Sequence, residues 1–435
     1  MMAREKEIHN WLKQHGISGV KLLQRLVQEP SRREQEGKAQ AIIVEKCREL
    51  GLEIDLWEIG DDALRKHRHF YCDRRDFSGN PNLVAVRKGK GNGKSLILNG
   101  HIDVVPEGNP GDWEEEPYSG MVKDGKVYGR GTTDMKGGTV SLLLALEAII
   151  SLGIELKGDV IFQSVIEEES GGAGTLAAVL RGYRADGAII PEPTNLKLFP
   201  LQQGSMWFRL TIKGKSAHGG TRYEGVNAIE LAMEVINEIK KLEKERNEAL
   251  NHPLYQDIPI PIPINIGKIS SGEWPSSVPD TAIMEGRFGI APTEKMEEAQ
   301  KALENCIAGL NATNEWFCAK PIELEWFGAR WLPSNLELNH PLLQTISDSF
   351  VEVKGEQPSI EASPWGTDGG YLSNVGKIPV VVFGPGKTEL AHDANEYIET
   401  DRMMEVAEII ALTIINWCGI EETAVDQGET KSETV

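Results

Sequence analysis

The sequence predicts an α/β fold, a mostly parallel sheet flanked by helices, interrupted by an inserted α+β unit. Three observations predict it. Short strands, apolar on both faces, alternate with helices up to residue 203. The rhythm then changes to alternating strands and long amphipathic helices, and the first rhythm returns after residue 328. His, Asp and Glu residues stand at the ends of apolar runs on both sides of the interruption. The expected organisation is a discontinuous catalytic part, 1–203 plus 328–435, and an inserted part, 204–327. A chain of 435 residues exceeds one ordinary core, which agrees with this division.

The elements follow in order. Apolar residues at helical spacing predict helices over 5–28 and 32–51, broken at Pro30-Ser31. "NLVAVRKG" and "KSLILNG" read as strands around a Gly/Lys turn. Residues 137–151 form a largely apolar helix. "DVIFQSVI" is a buried strand, "GTLAAVLRG" a helix and "DGAIIPE" a further strand. In the inserted part, "SMWFRLTIKGKS", "IPINIGKISSG" and "TAIMEGRFGIA" read as strands. "GVNAIELAMEVINEIKKLEKE" and "EKMEEAQKALENCIAGLNA" read as helices, and the unit closes near Trp326. "NHPLLQTISDSFVE" resumes the α/β rhythm, and "IPVVVFGPG" is a strand entering a glycine turn. The acidic tail, 420–435, is expected to be disordered.

The formal charge of −20 argues against nucleic acid or an anionic membrane as partner. No apolar run approaches the roughly 20 residues that a membrane helix needs. The charged, amphipathic start has no apolar signal core, so a cytoplasmic protein is expected. Five cysteines without a C-x-x-C pair suit reduced thiols.

The chemistry lies in five motifs. His101 opens "GHIDVVP" at a strand end, where open α/β sheets place their sites. Asp103 lies two residues on, where a carboxylate can accept the other imidazole N–H. Asp134 sits in "GRGTTDMKGG", whose glycines let backbone crowd around one short carboxylate. "SVIEEESGG" sets Glu167, Glu168 and Glu169 together after a buried strand, where like charges repel unless cations relieve them. Glu169 can then bind metal while Glu168, left free, acts as general base. Glu192 lies between two prolines in "PEPTN", and His392 lies in "ELAHDANEY". Asp393 and Glu396 beside it are either supporting partners or surface charge. Each motif has an ordinary alternative when read alone: a His-Asp surface pair, a helix N-cap at Asp134, a solvated acidic loop, a structural histidine.

Together and in order, the motifs resemble those of a dinuclear-zinc family. It contains acetylornithine deacetylase, succinyl-diaminopimelate desuccinylase, aminoacylase and bacterial glutamate carboxypeptidase. The likeness runs from about Leu96 to Ile398 and is nearest to the acetylornithine-deacetylase-like members. It implies two Zn2+, with Co2+ or Mn2+ as substitutes. One would be held by His101, Glu192 and a bridging Asp134, the other by Glu169, His392 and Asp134. Glu168 would be the base, Asp103 would orient His101, and the peptide after Asp134 would be cis. The implied activity is removal of a small acyl group from an N-acyl amino acid by a hydroxide held between the ions. Desuccinylation, deformylation of an N-formyl amine and dipeptide or carboxypeptidase cleavage are the alternatives.

The inserted part resembles the family's lid or dimerisation domain, which implies a homodimer. "KGKSAHGG" matches its histidine motif, so His218 is expected at an active site, its own or a partner's, stabilising the oxyanion. "SSVPDTAIMEGRFG" makes Arg287 the candidate for a substrate carboxylate, although Ser277 stands where relatives often carry asparagine. The segment 64–80, "LRKHRHFYCDRRDFSGN", is more basic and aromatic than the resemblance leads one to expect. It is either surface decoration or a substrate or partner contact.

Two readings from other classes compete. "GAGTLA" at 172–177, with Glu192 some distance on, fits a dinucleotide fingerprint. It places a pyrophosphate beside three glutamates and leaves His101, Asp134 and His392 without a task. A scaffold used only for binding would be expected to lack a ligand or the base, and here every position is filled.

Overall fold

The computed structural model describes residues 2–421. Its larger sheet runs in the order Glu53–Trp57, Asn82–Arg87, Val160–Val165, Leu96–His101, Ala188–Ile190, Val380–Val382, Leu198–Gln202; Ser334–Asn335 and Ile360–Ser363 both pair with the last. The four central strands are parallel, with Leu98 opposite Phe162 and Ile189, and Val381 opposite Ile189. The marginal pairings are antiparallel, except that Ile360–Ser363 runs parallel to Leu198–Gln202, so the sheet is mixed around a parallel centre. Leu96–His101 and Val160–Val165 are buried along their whole length, as strands covered on both faces must be.

Parallel strands share one carboxyl edge, and this arrangement positions the site. His101 ends its own strand. Glu168 and Glu169 follow Val165, Glu192 follows Ile190, and His392 comes after the turn beyond Val382. Residues far apart in the chain are thereby delivered to one edge.

Helix Gly137–Ser151 is buried on nearly every side and packs against Thr400–Cys418 and Met2–Gln28. Gly19 permits the crossing, because a Cβ there would lie 2.4 Å from Leu144 Cδ1. The second helix starts at Gly37, later than the expected residue 32. Arg32 instead pairs with Val104, and the Gly37 N–H is taken by Asn80 Oδ1 at 2.9 Å. Of the expected disordered tail, Ile420 bridges Leu156 and the Glu421 N–H bonds Glu155 O at 2.9 Å. Both residues extend the ordered chain; 422–435 lie outside the described residues.

The second sheet is wholly antiparallel, in the order Ile264–Ser271, Thr281–Ile290, Gly204–Lys213, Glu323–Trp331. Met206, Phe208, Leu210 and Ile212 alternate inward and are buried with Ala282, Met284 and Phe288. Helices Ala228–Ala249 and Met296–Thr313 lie on that side. Ser205, Trp207 and Arg209 point to the opposite face. The last strand continues to Trp331, past the expected boundary at 327, through a bulge between Phe327 and Arg330. Gly328 makes the bulge with φ 62°.

Gly138 tests the contact between sheet edge and helix. A Cβ there would lie 2.0 Å from Pro191 O, one residue before Glu192. Alanine gains about 1 kcal/mol of helix propensity over glycine, but overpacking against backbone costs about 1–3 kcal/mol. Gly138→Ala should therefore be net destabilising in urea unfolding; an unchanged or raised midpoint would show that the edge yields.

Candidate metal centre

Asp134 lies at the centre of the cluster. Its Oδ1 is 3.2 Å from His101 Nε2, and its Oδ2 is 3.3 Å from His392 Nε2. Each imidazole faces one further carboxylate: Glu192 Oε1 lies 3.9 Å from His101 Nε2, and Glu169 Oε2 lies 3.2 Å from His392 Nε2. Ligand-capable atoms of His101, Asp134 and Glu169 fall within 4.8 Å of one another, as do those of His101, Glu168 and Glu192. The five ligand candidates and Glu168 thus share one place. Asp134 does not cap the following helix, whose N-cap is Lys136, and the Asp134–Met135 peptide is cis.

Neighbouring groups hold this geometry. His101 Nδ1 lies 2.8 Å from the main-chain oxygen of Asp103 and 3.7 Å from its carboxylate. The acceptor expected to be the Asp103 side chain is therefore its own carbonyl. The carboxylate turns instead to the main-chain N–H groups of Glu168 and Glu169, at 3.3 and 3.1 Å. Glu396, which the sequence left between partner and surface charge, is fully buried. It accepts from Arg130 Nη1 at 2.7 Å and from the N–H groups of Gly131, Thr133 and Asp134 at 3.0, 2.8 and 3.1 Å. It thereby ties the Asp134 loop to the His392 loop. Asp393 is exposed; its carboxylate accepts the adjacent Ala394 N–H at 2.9 Å, while its main-chain oxygen accepts from Arg130 Nη1 at 3.1 Å.

The electrostatics follow from crowding. Burial raises Asp134, but hydrogen bonds from His101 and His392 overcome it and hold the carboxyl far below its usual range. Burial raises Glu168 and Glu192 well above theirs, Glu168 against the opposing charge of His101. Burial lifts Asp103 to about 8. Burial would lower His101, yet Asp134 and Glu192 raise it well above a free imidazole. Hydrogen bonds to Asp134 and Glu169 lift His392 to about 11.

These residues fit a pair of divalent cations. Five carboxylates meet two imidazoles in a largely buried space, so protons or cations must balance them. Glu169 Oε1 is buried with no hydrogen-bond partner. The mixed imidazole and carboxylate donors suit zinc, cobalt or manganese.

A cavity of about 660 Å³ opens over the cluster. Glu168 lies on its wall, and Glu168 Oε1 accepts from Trp331 Nε1 at 3.2 Å. Trp207, Trp331 and Trp365 form apolar walls with Val105 and Pro106. Arg287 reaches the same wall from the second sheet, opposite Trp207. Its hydrogen-bond partner is Gln203 Oε1 at 3.4 Å, and no carboxylate lies within salt-bridge distance among the described residues. Burial lowers the guanidinium to about 10. His218 is not brought to this cavity within its own chain. It is exposed on Ala217–His218, pairs with Ser277, and its Nδ1 accepts the Gly220 N–H at 3.1 Å.

The family model of peptidase family M20/M25/M40 matches residues 97–416. The chain belongs to this family. It is 31% identical to an N-formyl-4-amino-5-aminomethyl-2-methylpyrimidine deformylase of Bacillus subtilis over 409 residues, 89% of this chain and 91% of the relative. It is 29% identical to acetylornithine deacetylase of Pasteurella multocida over 348 residues, 78% of this chain and 84% of the relative. A tripeptidase structure from Staphylococcus aureus superposes with a TM-score of 0.71 at 23% identity, covering 93% of this chain and 98% of that one. The chain is accordingly a metal-dependent, amide-hydrolysing enzyme of the M20 type. Among the described residues no helix is long and apolar enough to cross a membrane.

Sequence reading missed the tryptophans, Asp368 and the burial of Glu396. Burial lifts Asp368 to about 6 beneath the cluster, where its Oδ2 accepts from Thr175 Oγ1 at 2.7 Å. Trp207 did carry a signal: it is a tryptophan on the polar-facing register of "SMWFRL". The glycines of "GAGTLA" serve packing, since a Cβ on Gly174 would lie 2.3 Å from Ile166 O.

If cations balance the cluster, binding them must displace protons. Zinc titrated into chelator-stripped protein should release protons, read as a buffer-dependent heat in calorimetry. A heat independent of buffer ionisation enthalpy would contradict the charge argument.

Proposed function

We propose that the enzyme hydrolyses a small N-acyl amide, preferentially an N-formyl or N-acetyl group on an amine bearing a flat aromatic ring. One observation carries the hydrolytic reading: Asp134 turns one oxygen to each of two imidazoles, with the free carboxylate of Glu168 beside them on the cavity wall. Two zinc ions are the favoured pair. His101, Asp134 and Glu192 would hold one, and His392, Asp134 and Glu169 the other. The ions supply Lewis acidity toward the amide carbonyl and toward water.

The chain's own residues do the rest. Glu168 takes a proton from the attacking water and returns it to the leaving amine nitrogen, so water and amide yield acid and amine. The Trp331 indole keeps the Glu168 carboxylate aimed into the cavity. The tryptophan walls exclude water and offer faces for a ring to stack on. This favours an amine like that of the deformylase relative over the N-acyl amino acid first expected. A second reading, an N-acyl amino acid as in the deacetylase relative, is favoured by Arg287, which has no carboxylate within salt-bridge distance among the described residues and is a bidentate partner for one.

Residues 204–327 are read as the dimerisation unit. A homodimer would let the exposed His218 enter the partner's cavity and donate to the oxyanion.

A product assay of zinc-loaded protein decides among substrates. The panel is N-formyl aminomethylpyrimidine, N-formyl benzylamine, N-acetylornithine, N-succinyl amino acids and dipeptides. The ring-bearing amides should show the highest kcat/KM, and preference for N-acetylornithine would move the conclusion to the second reading. Glu168→Gln should retain two metals and lose turnover; near-normal activity would remove Glu168 as base. Trp207→Leu should raise KM for ring-bearing amides by about 2- to 10-fold, and an unchanged KM would count against stacking.

A further inference from the structure

The segment 64–80 is neither decoration nor part of the cavity wall. Leu64, His69, Cys72, Arg74, Phe77 and Asn80 are buried within it. Its inner end grips Glu167. Arg74 Nη1 donates to Glu167 Oε1 at 2.7 Å and to Glu36 Oε1 at 2.8 Å, all three side chains being buried. Arg33 Nε reaches both Glu167 oxygens at 3.2 and 3.1 Å, and Cys72 Sγ donates to Oε2 at 3.1 Å. Glu167 holds φ at 64°, in the left-handed region. Its side chain departs toward the arginines, while that of the next residue, Glu168, enters the cavity.

The outer end of the same segment rests on the second sheet and its helix. The Arg330 guanidinium lies 4.4 Å over the Tyr71 ring, the Tyr71 hydroxyl is 3.4 Å from Met296 Sδ, and Arg68 pairs with Glu297 at 3.3 Å. Arg330 precedes Trp331, whose indole bonds Glu168. Tyr371 closes the junction. Its buried hydroxyl lies 2.8 Å from Gly171 O, 3.0 Å from Arg330 O and 3.4 Å from His69 O. The base loop, the end of the second sheet and the segment thus meet at one phenol.

We infer that residues 68–74 are a positioning link that carries the placement of the Glu323–Trp331 strand to the backbone of the 167–169 loop, and so to the aim of Glu168. Glu167 and Tyr71 act through their neighbours and touch no reacting atom. The inference rests on the reading of Glu168 as base. A buried carboxylate shared by two guanidiniums fixes direction better than a single pair. A cation over an aromatic face tolerates small sliding. The inner end is therefore the rigid anchor and the outer end the contact that follows the second sheet.

The test uses full-length, zinc-loaded protein and whichever N-acyl substrate of the panel above is turned over. Tyr71→Ala should lower kcat on the order of 10- to 100-fold, the scale of a small misplacement of a reacting group. KM, zinc content and melting temperature should stay near wild type. Tyr71→Phe keeps the ring and should stay within about twofold of wild type. Glu167→Gln should lower kcat similarly, and the double variant Y71A/E167Q should be no slower than the slower single. If Glu167→Gln does not fold, the partly exposed Arg33→Met takes its place. Wild-type kcat in Tyr71→Ala, or losses that multiply in the double variant, would overturn the link. Glu168→Gln on the same substrate separates the two ideas. If it is inactive while the losses multiply, the link alone fails; if it is active, the base reading fails first.

Discussion

An excess of negative charge packed against one buried sheet edge is the constraint on which the site depends. Four parallel strands end there, and each delivers a carboxylate or an imidazole. Such a cluster is stable only if cations or protons balance it, and only if each carboxylate is prevented from finding a cheaper partner. The chain meets the second condition with backbone. Glu396 takes three main-chain N–H groups and the Arg130 guanidinium. Asp103 takes the N–H groups of Glu168 and Glu169. Glu167 is turned away onto Arg33 and Arg74. What remains facing inward is a set whose free oxygens have cations as their natural partners.

The two sheets divide the work. The carboxyl edge of the mixed sheet presents His101, Glu168, Glu169, Glu192 and His392, the candidate ligands and base, and Asp134 joins them from the turn at Thr132–Lys136. The antiparallel sheet supplies much of the wall: Ser205, Trp207, Arg287 and Trp331 come from its outward-facing register. On the proposed reading, chemistry and selectivity reside on separate scaffolds that meet across the cavity. Family membership fixes the first and leaves the second free to vary. The relatives accordingly differ in acyl group and amine while sharing hydrolysis of an amide. The hydrogen bond from Trp331 to Glu168 is one of the contacts through which the two scaffolds touch, and it joins the wall to the candidate base.

The metal motifs were legible in the sequence because each is local. A histidine that ends an apolar strand, an aspartate among glycines and paired glutamates after a buried run all announce themselves within ten residues. The change of rhythm near Gly204 marked the second sheet for the same reason, since period 2 and period 3.6 are short-range properties. The second helix was expected too early because a parallel bridge from Arg32 to Val104 competes with helix at its start. The boundary at 327 was four residues short because a bulge at Gly328 lets the strand continue.

The sequence by itself determined the candidate ligand types, the place of most of them at strand ends and the alternation of two architectures, because side-chain chemistry and hydrophobic period are written residue by residue. Only the tertiary structure decided which acids face the cavity and which face away. It made Glu396 a buried anchor, gave His101 the Asp103 carbonyl in place of its carboxylate, and gathered Trp207, Trp331 and Trp365 into one wall. It also turned the basic segment 64–80 inward. Burial and direction are set by contacts between distant parts of the chain, and no local pattern encodes them.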